Sequence, residues 1–138
     1  MKVVLDSNIY VSAFYFDRGP ERIIDLGISG KFKVYSSLYI IAEVKRVLHE
    51  KLGAPERFAV LSAERIKRHS TVVPVRGGIK GPIPTDPKDG PIVKTCLACR
   101  ADFLVTRDVK LARLPIRGTD TLNAAQFLNR LRMQGIIA

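Results

Sequence analysis

Met1-Lys2-Val3-Val4-Leu5-Asp6-Ser7-Asn8 runs from a short β-branched apolar stretch straight into an acid, then into polar residues able to cap a helix. Buried strands of parallel sheets read this way, and ligands of such sheets sit beyond the carboxyl ends of the strands. Asp6 therefore stands at the mouth of a crevice or, more plainly, caps the following helix. Three more acids at comparable junctions shift the balance toward a site.

Outward from that strand, Ile9 to Phe16 is apolar nearly all round, as a short buried helix would be. Pro20 suits the first turn of a second helix, with Ile23, Ile24, Leu26 and Ile28 for packing and Gly30 as its stop. Phe32 to Tyr35 reads as a strand. Ser36-Ser37 can cap a third helix that runs through Leu48 toward Gly53 and carries Glu43. Taken alone, Glu43 is a solvated surface acid, loosely paired with Arg46 or Lys45. Pro55 opens a fourth helix, apolar at Phe58, Leu61 and Ile66 and basic at Arg57, Arg65, Lys67 and Arg68. That basic run is either a solvated face or part of a phosphate track.

Val72 to Val75 is a short strand whose Pro74 favours a sheet edge. Residues 76–89 form a long Gly/Pro-rich loop. Pro91 marks the first position of a fifth helix, with Asp89-Gly90 at its cap and Ile92, Val93, Cys96, Leu97 and Cys99 as its buried stripe. Phe103 to Thr106 is a second apolar strand, and it again ends in polar residues, Arg107 and Asp108. A turn of helix (Val109 to Ala112) and a small strand near Ile116 follow. The last helix starts with capping-box spacing at Asn123 and Gln126, has Leu122 and Phe127 placed as a hydrophobic staple, and ends near Gly135. This alternation predicts one domain, residues 1–138, built as a three-layer α/β/α sandwich around a mainly parallel sheet.

Charge narrows the partner. The net charge is +10, from 23 basic and 13 acidic residues. If four of the acids gather in one site, the remaining surface carries all 23 bases against nine acids. Such a surface suits a polyanion, and nucleic acid above a membrane, since no basic amphipathic helix with exposed aromatics is evident. No apolar run approaches the ~18 residues of a bilayer span, and no signal-peptide pattern is present, so a cytoplasmic location is expected. Cys96 and Cys99 form a C-x-x-C, but His49 and His69 lack the paired spacing of zinc ligands. The pair falls inside an apolar helical run, which makes two buried small hydrophobes of it.

Asp6 and Asp108 end strands, Asp89 begins a helix, and Glu43 rides on a helix that follows a strand. In a parallel sheet these positions share one edge. Two like charges ~4 Å apart repel by about 4 kcal/mol at an effective dielectric of ~20, so the cluster needs a shared proton or a cation. Oxygen-only ligands suit Mg²⁺ or Mn²⁺. A hard cation on a basic protein points to phosphodiester hydrolysis by activated water, and no P-loop or G-x-S-x-G offers another route.

The same residues carry a resemblance. Val3-Val4-Leu5-Asp6-Ser7-Asn8 is similar to the opening strand and first acid of the PIN domain nucleases. Ser36-Ser37-Leu38-Tyr39-Ile40-Ile41-Ala42-Glu43-Val44-Lys45-Arg46-Val47-Leu48 resembles the helix bearing that family's glutamate. Asp86-Pro87-Lys88-Asp89-Gly90-Pro91-Ile92-Val93 and Ala101-Asp102-Phe103-Leu104-Val105-Thr106-Arg107-Asp108 resemble its third and fourth motifs. The likeness spans residues 3 to about 128 and is strongest to the toxins of toxin–antitoxin pairs (VapC-like). It implies a Mg²⁺- or Mn²⁺-dependent endoribonuclease acting on single-stranded RNA, with Asp6, Glu43, Asp89 and Asp108 as catalytic acids and metal ligands. It also implies supporting roles for Asn8, Asp86 and Thr106, an antitoxin protein as partner, and a homodimer. Relatives often have a further acid where Gly90 stands, which bears on a second metal. Two other readings stay open: an RNA- or partner-binding module with little turnover, and a metal-dependent phosphatase. Asp6-Ser7-Asn8 lacks the D-x-D of an aspartyl nucleophile, and an acid cluster without metal would repel phosphate.

Overall fold

The structure, a computed structural model, describes residues 1–16, 20–75 and 89–138, with the backbone alone for Asp89. Strand β1 (Lys2–Leu5) is the centre of a five-stranded sheet. It pairs in parallel with β2 (Lys33–Ser36) on one side and β4 (Phe103–Val105) on the other. The edges are β3 (Thr71–Val72), parallel to β2, and β5 (Asp120–Leu122), parallel to β4. The order is therefore β3-β2-β1-β4-β5, and every pair is parallel, in line with the mainly parallel sheet expected from the sequence. Val3, Val4 and Leu5 are all buried, as are Phe103, Leu104 and Val105. Successive strand residues point to opposite faces, so burial of every one means that helices cover both.

Helix α1 (Ser7–Val11) continues as a π-helical turn, Ser12–Phe16. Expected to be buried throughout, this run instead brings Tyr15 and Phe16 out to solvent. Next come α2 (Pro20–Ile28) and α3 (Leu38–Arg46), the latter running into a π turn at Val47–Lys51. Ser37, not Ser36, is the cap of α3: its Oγ accepts from the Ile40 amide at 3.5 Å. Helix α4 (Glu56–His69) packs on α3 and buries Ala59, Ser62, Ala63 and Ile66. Phe58 and Leu61, expected on that stripe, are exposed, and the small residues Ala59, Ser62 and Ala63 occupy the buried face with Ile66. Helix α5 spans Asp89–Cys99, beginning two residues before Pro91. Its buried residues include Ile92, Val93, Thr95, Cys96 and Cys99, whereas Leu97 is exposed. Both cysteines are free and buried, consistent with a packing role.

Helix α6 (Val109–Ala112) follows β4 as expected. The last strand lies at Asp120–Leu122; near Ile116 there is only an isolated antiparallel bridge to Thr119. Helix α7 (Ala124–Met133) carries both bonds of the expected capping box, at 2.8 and 2.9 Å. Its Phe127 is fully buried, edge-on to Phe32 at 5.2 Å and tilted against Phe103 at 5.8 Å. The ends of α2, α5 and α7 share one geometry. A residue two or three positions past each helix donates its amide to the carbonyl five residues back, as Lys31 to Leu26, Ala101 to Cys96, and Ile136 to Leu131. The intervening left-handed residue is Gly30 or Gly135 in two cases, but Arg100 (φ 54°) in α5. Among the described residues no helix is long and apolar enough to cross a membrane.

Candidate functional site

The strand order sets where a ligand can enter. The chain builds outward from β1 through β2 to β3, then crosses to β4 and β5 on the other side. The reversal lies between β1 and β4, and crevices open at such points beyond the carboxyl ends of the strands. Asp6 immediately follows β1, and Thr106, Arg107 and Asp108 immediately follow β4. An open cleft there is lined by Asp6, Asn8, Tyr39, Glu43, Arg107 and Asp108, among others.

Asp6 is buried and held from both sides. Its Oδ1 accepts from the Ser7 amide at 2.7 Å and, more loosely, the Ser7 hydroxyl at 3.4 Å. Its Oδ2 accepts from Thr106 Oγ1 at 2.7 Å and Asn8 Nδ2 at 3.2 Å. Burial pushes the Asp6 carboxyl above the ordinary carboxylate range; the Thr106 and Ser7 bonds pull it back, and the charge of Asp108 pushes it further up. Both sequence readings of Asp6 thus apply: it caps α1 and faces a cleft. Asn8 also accepts from the Arg107 amide at 3.1 Å, and Thr106 accepts from the Asp108 amide at 3.0 Å. Together they tie the ends of β1 and β4 into one unit.

Asp108 caps α6, its Oδ1 accepting from the Lys110 and Leu111 amides at 2.9 and 3.3 Å. Oδ2 takes no part in that cap. Glu43 reaches the cleft from α3, where Arg46 Nη2 donates to its Oε1 at 2.8 Å. The predicted pairing with Arg46 is therefore present, yet the carboxylate faces the cleft and not open solvent.

Tyr39, four residues before Glu43 and on the same helical face, was not singled out from sequence. Its hydroxyl bonds Glu43, and burial together with the charges of Glu43 and Asp6 raises its pKa. Spacing along α3 was the signal that could have found it. In sequence Arg107 reads only as a polar strand end; its guanidinium is anchored on Ser12 Oγ at 2.7 Å beside the cleft.

Asp89 is the first residue of α5, and its side chain lies outside what the structure describes. Ile92, three residues further, lines the cleft, so the first turn of α5 borders it. Asp86 and the loop 76–88 lie outside the described residues. Among the described residues, no three acidic, histidine or cysteine side chains sit close enough to hold a metal. The donor chemistry nevertheless suits a hard cation. Oxygen is the only donor type that Asp6, Glu43 and Asp108 present, and the repulsion between Asp6 and Asp108 is what a cation would relieve.

Residues 2–110 match the family model of the PIN domain. No curated protein matches the chain significantly. Among solved structures, the fold resembles VapBC2 from Rickettsia felis, solved bound to a DNA fragment from their promoter. That likeness has TM-score 0.65 and 18% identity, over 89% of this chain and 98% of that one. It also resembles the PIN domain of RRP44 from T. brucei, with TM-score 0.57 and 14% identity, over 97% and 80%.

Proposed function

The chain belongs to the PIN domain family, a family of nucleases, and on that premise we propose that it is a metal-dependent endoribonuclease of single-stranded RNA. The observation that carries this reading is the meeting of Asp6, Glu43 and Asp108 on one cleft at the β1/β4 reversal, bordered by the start of α5. Asp6, Glu43, Asp89 and Asp108 are the proposed ligands of Mg²⁺ or Mn²⁺. When bound, the cation supplies Lewis-acid activation of water and neutralisation of phosphate charge.

The protein's own groups do the rest. Thr106 and the Ser7 amide favour the ionised form of Asp6 against its burial, which disfavours that form. The two longer contacts, from Ser7 Oγ and Asn8 Nδ2, are those that yield when a ligand takes up Asp6 lone pairs. Glu43, fixed by Arg46 and Tyr39, is either a further ligand or the base that receives the proton of the attacking water. Asn8 and Thr106 are positioning residues.

Residues 1–138 form the single nuclease domain of this proposal. The likeness to a VapBC2 structure supports a toxin role with a small antitoxin partner. A homodimer and a cytoplasmic location complete the proposal, the first being open to light scattering. The test is incubation of wild type and Asp6→Asn with labelled single-stranded RNA in Mg²⁺, Mn²⁺ or EDTA. Cleavage by wild type alone, abolished by EDTA, is expected. Equal cleavage by both proteins would refute the site, and binding without cleavage under every condition would favour an RNA-binding module.

A further inference from the structure

The acid cleft does not stand alone. A second groove opens beside it, lined in part by Tyr15, Pro20, Asn123 and Ala124, and the two share Ser12, Phe16 and Arg107 as a common wall. That wall presents an aromatic ring and a guanidinium to both sides. Phe16 is 54% exposed and Tyr15 41%, an unusual state for two adjacent aromatics in an otherwise buried apolar run. Their rings meet edge to face, with centroids 5.2 Å apart at 74°. Perpendicular rings cannot both stack on one planar ligand. The Tyr15 hydroxyl donates to the Leu52 carbonyl at 3.3 Å, which anchors that ring and makes it the backing. Phe16 is the one shared by cleft and groove. Both rings end a π-helical turn, a geometry found often at functional sites.

We propose that Phe16 stacks on an unpaired base of the RNA strand as it passes from this groove into the acid cleft. Tyr15 buttresses the ring, and Arg107, held by Ser12, contacts the adjoining phosphate. The inference rests on the nuclease reading and deepens it by naming residues that position substrate. Single-stranded nucleic acid is the occupant that the chemistry favours. Aromatic faces take any base, a guanidinium takes phosphate, and the protein carries a net charge of +10. Stacking of this kind tolerates sequence but requires a base. It is worth about 5- to 150-fold in affinity per base.

The chain has no tryptophan, so Phe16→Trp introduces a sole tryptophan, excited selectively over the four tyrosines, at the proposed contact. Titrating that variant, combined with Asp6→Asn to prevent cleavage, with single-stranded RNA octamers in Mg²⁺ should quench its emission. One octamer carrying an abasic nucleotide at the stacked position should fail to quench. With Mg²⁺ or Mn²⁺, Phe16→Ala should raise KM for the intact octamer about 5- to 150-fold with little change in kcat. Its melting temperature should lie within about 5 °C of wild type, because the half-exposed ring loses only its edge contact with Tyr15, and Phe16→Trp should retain activity. The abasic penalty seen with wild type should vanish in Phe16→Ala.

Wild-type cleavage matched by Phe16→Ala overturns the stacking role and leaves the nuclease reading intact. So does anisotropy showing RNA bound to Phe16→Trp with its emission unchanged, or with emission that responds only to a protein partner. Wild type that neither binds nor cleaves RNA overturns the nuclease reading, and this inference with it.

Discussion

Asp108 caps a helix and is also a proposed catalytic acid, and chemistry can separate the two roles. One carboxylate oxygen, Oδ1, accepts from the Lys110 and Leu111 amides and starts α6; the other is outside the cap, on a side chain lining the cleft. Asparagine caps a helix about as well as aspartate, so Asp108→Asn keeps the carbonyl oxygen at the cap and replaces the other with an amide group. Asp108→Ala removes both. Loss of a cap costs about 1 kcal/mol. For 138 residues, unfolding entropy of roughly 2.1 cal/mol/K per residue converts this to about 3–4 °C in melting temperature. Asp108→Asn should therefore melt within about 1–2 °C of wild type, while Asp108→Ala melts about 3–4 °C lower. Both should lose cleavage by on the order of 10²-fold or more, since each removes a preorganised charge from the site. Circular dichroism melts and single-turnover cleavage of labelled RNA provide the two readouts. An Asp108→Asn protein that cleaves RNA at the wild-type rate would refute the catalytic assignment. If it melted as low as Asp108→Ala, the cap argument would be wrong.

Thr106→Val keeps the shape of a buried side chain and deletes its bond to Asp6, so the Asp6 carboxyl should titrate higher still. Because the folded-state pKa of Asp6 is raised, its contribution to stability is fully present below the unfolded carboxylate value and is lost as pH rises through the folded one. The variant should extend that loss to higher pH in denaturant titrations and move the acid limb of the cleavage profile upward; an unmoved limb would mean that Asp6 is not the titrating group. Arg100→Gly should stabilise the protein by about 0.5–1 kcal/mol, since glycine adopts the left-handed end of α5 without the strain a side chain suffers there. A lower urea midpoint would show that the arginine side chain makes up for its backbone. Phe127→Ala should cost about 3–5 kcal/mol in the same assay, having lost a fully buried ring packed on Phe32 and Phe103. A cost under 1 kcal/mol would mean that the core collapses around the gap.

Much of this architecture is written locally. The cap at Ser37, the capping box of α7, the stop at Gly30 and the strand character of Val3–Leu5 and Phe103–Val105 are each decided by residues within about five positions of one another. The acids at strand ends were legible for the same reason, because Asp6 follows an apolar run and Asp108 precedes a helical turn. Local pattern could not rank the apolar residues of one helix. Leu61 and Leu97 read as core, but small residues and a hydroxyl, Ala59, Ala63 and Thr95, occupy the contacts instead. Which face a helix buries depends on what stands opposite.

The lateral order of the strands was likewise beyond the sequence. β1 and β4 are about 100 residues apart, and their pairing is set by how the whole chain buries its apolar faces, not by any signal at either end. That single fact makes Thr106 a partner of Asp6, sets Asp108 beside it, and puts Arg107 against Ser12. Residue types and caps are fixed by near neighbours, whose interactions follow from spacing. A site assembled from strand ends exists only once the sheet has chosen its neighbours, since cooperative burial alone fixes which ends lie side by side.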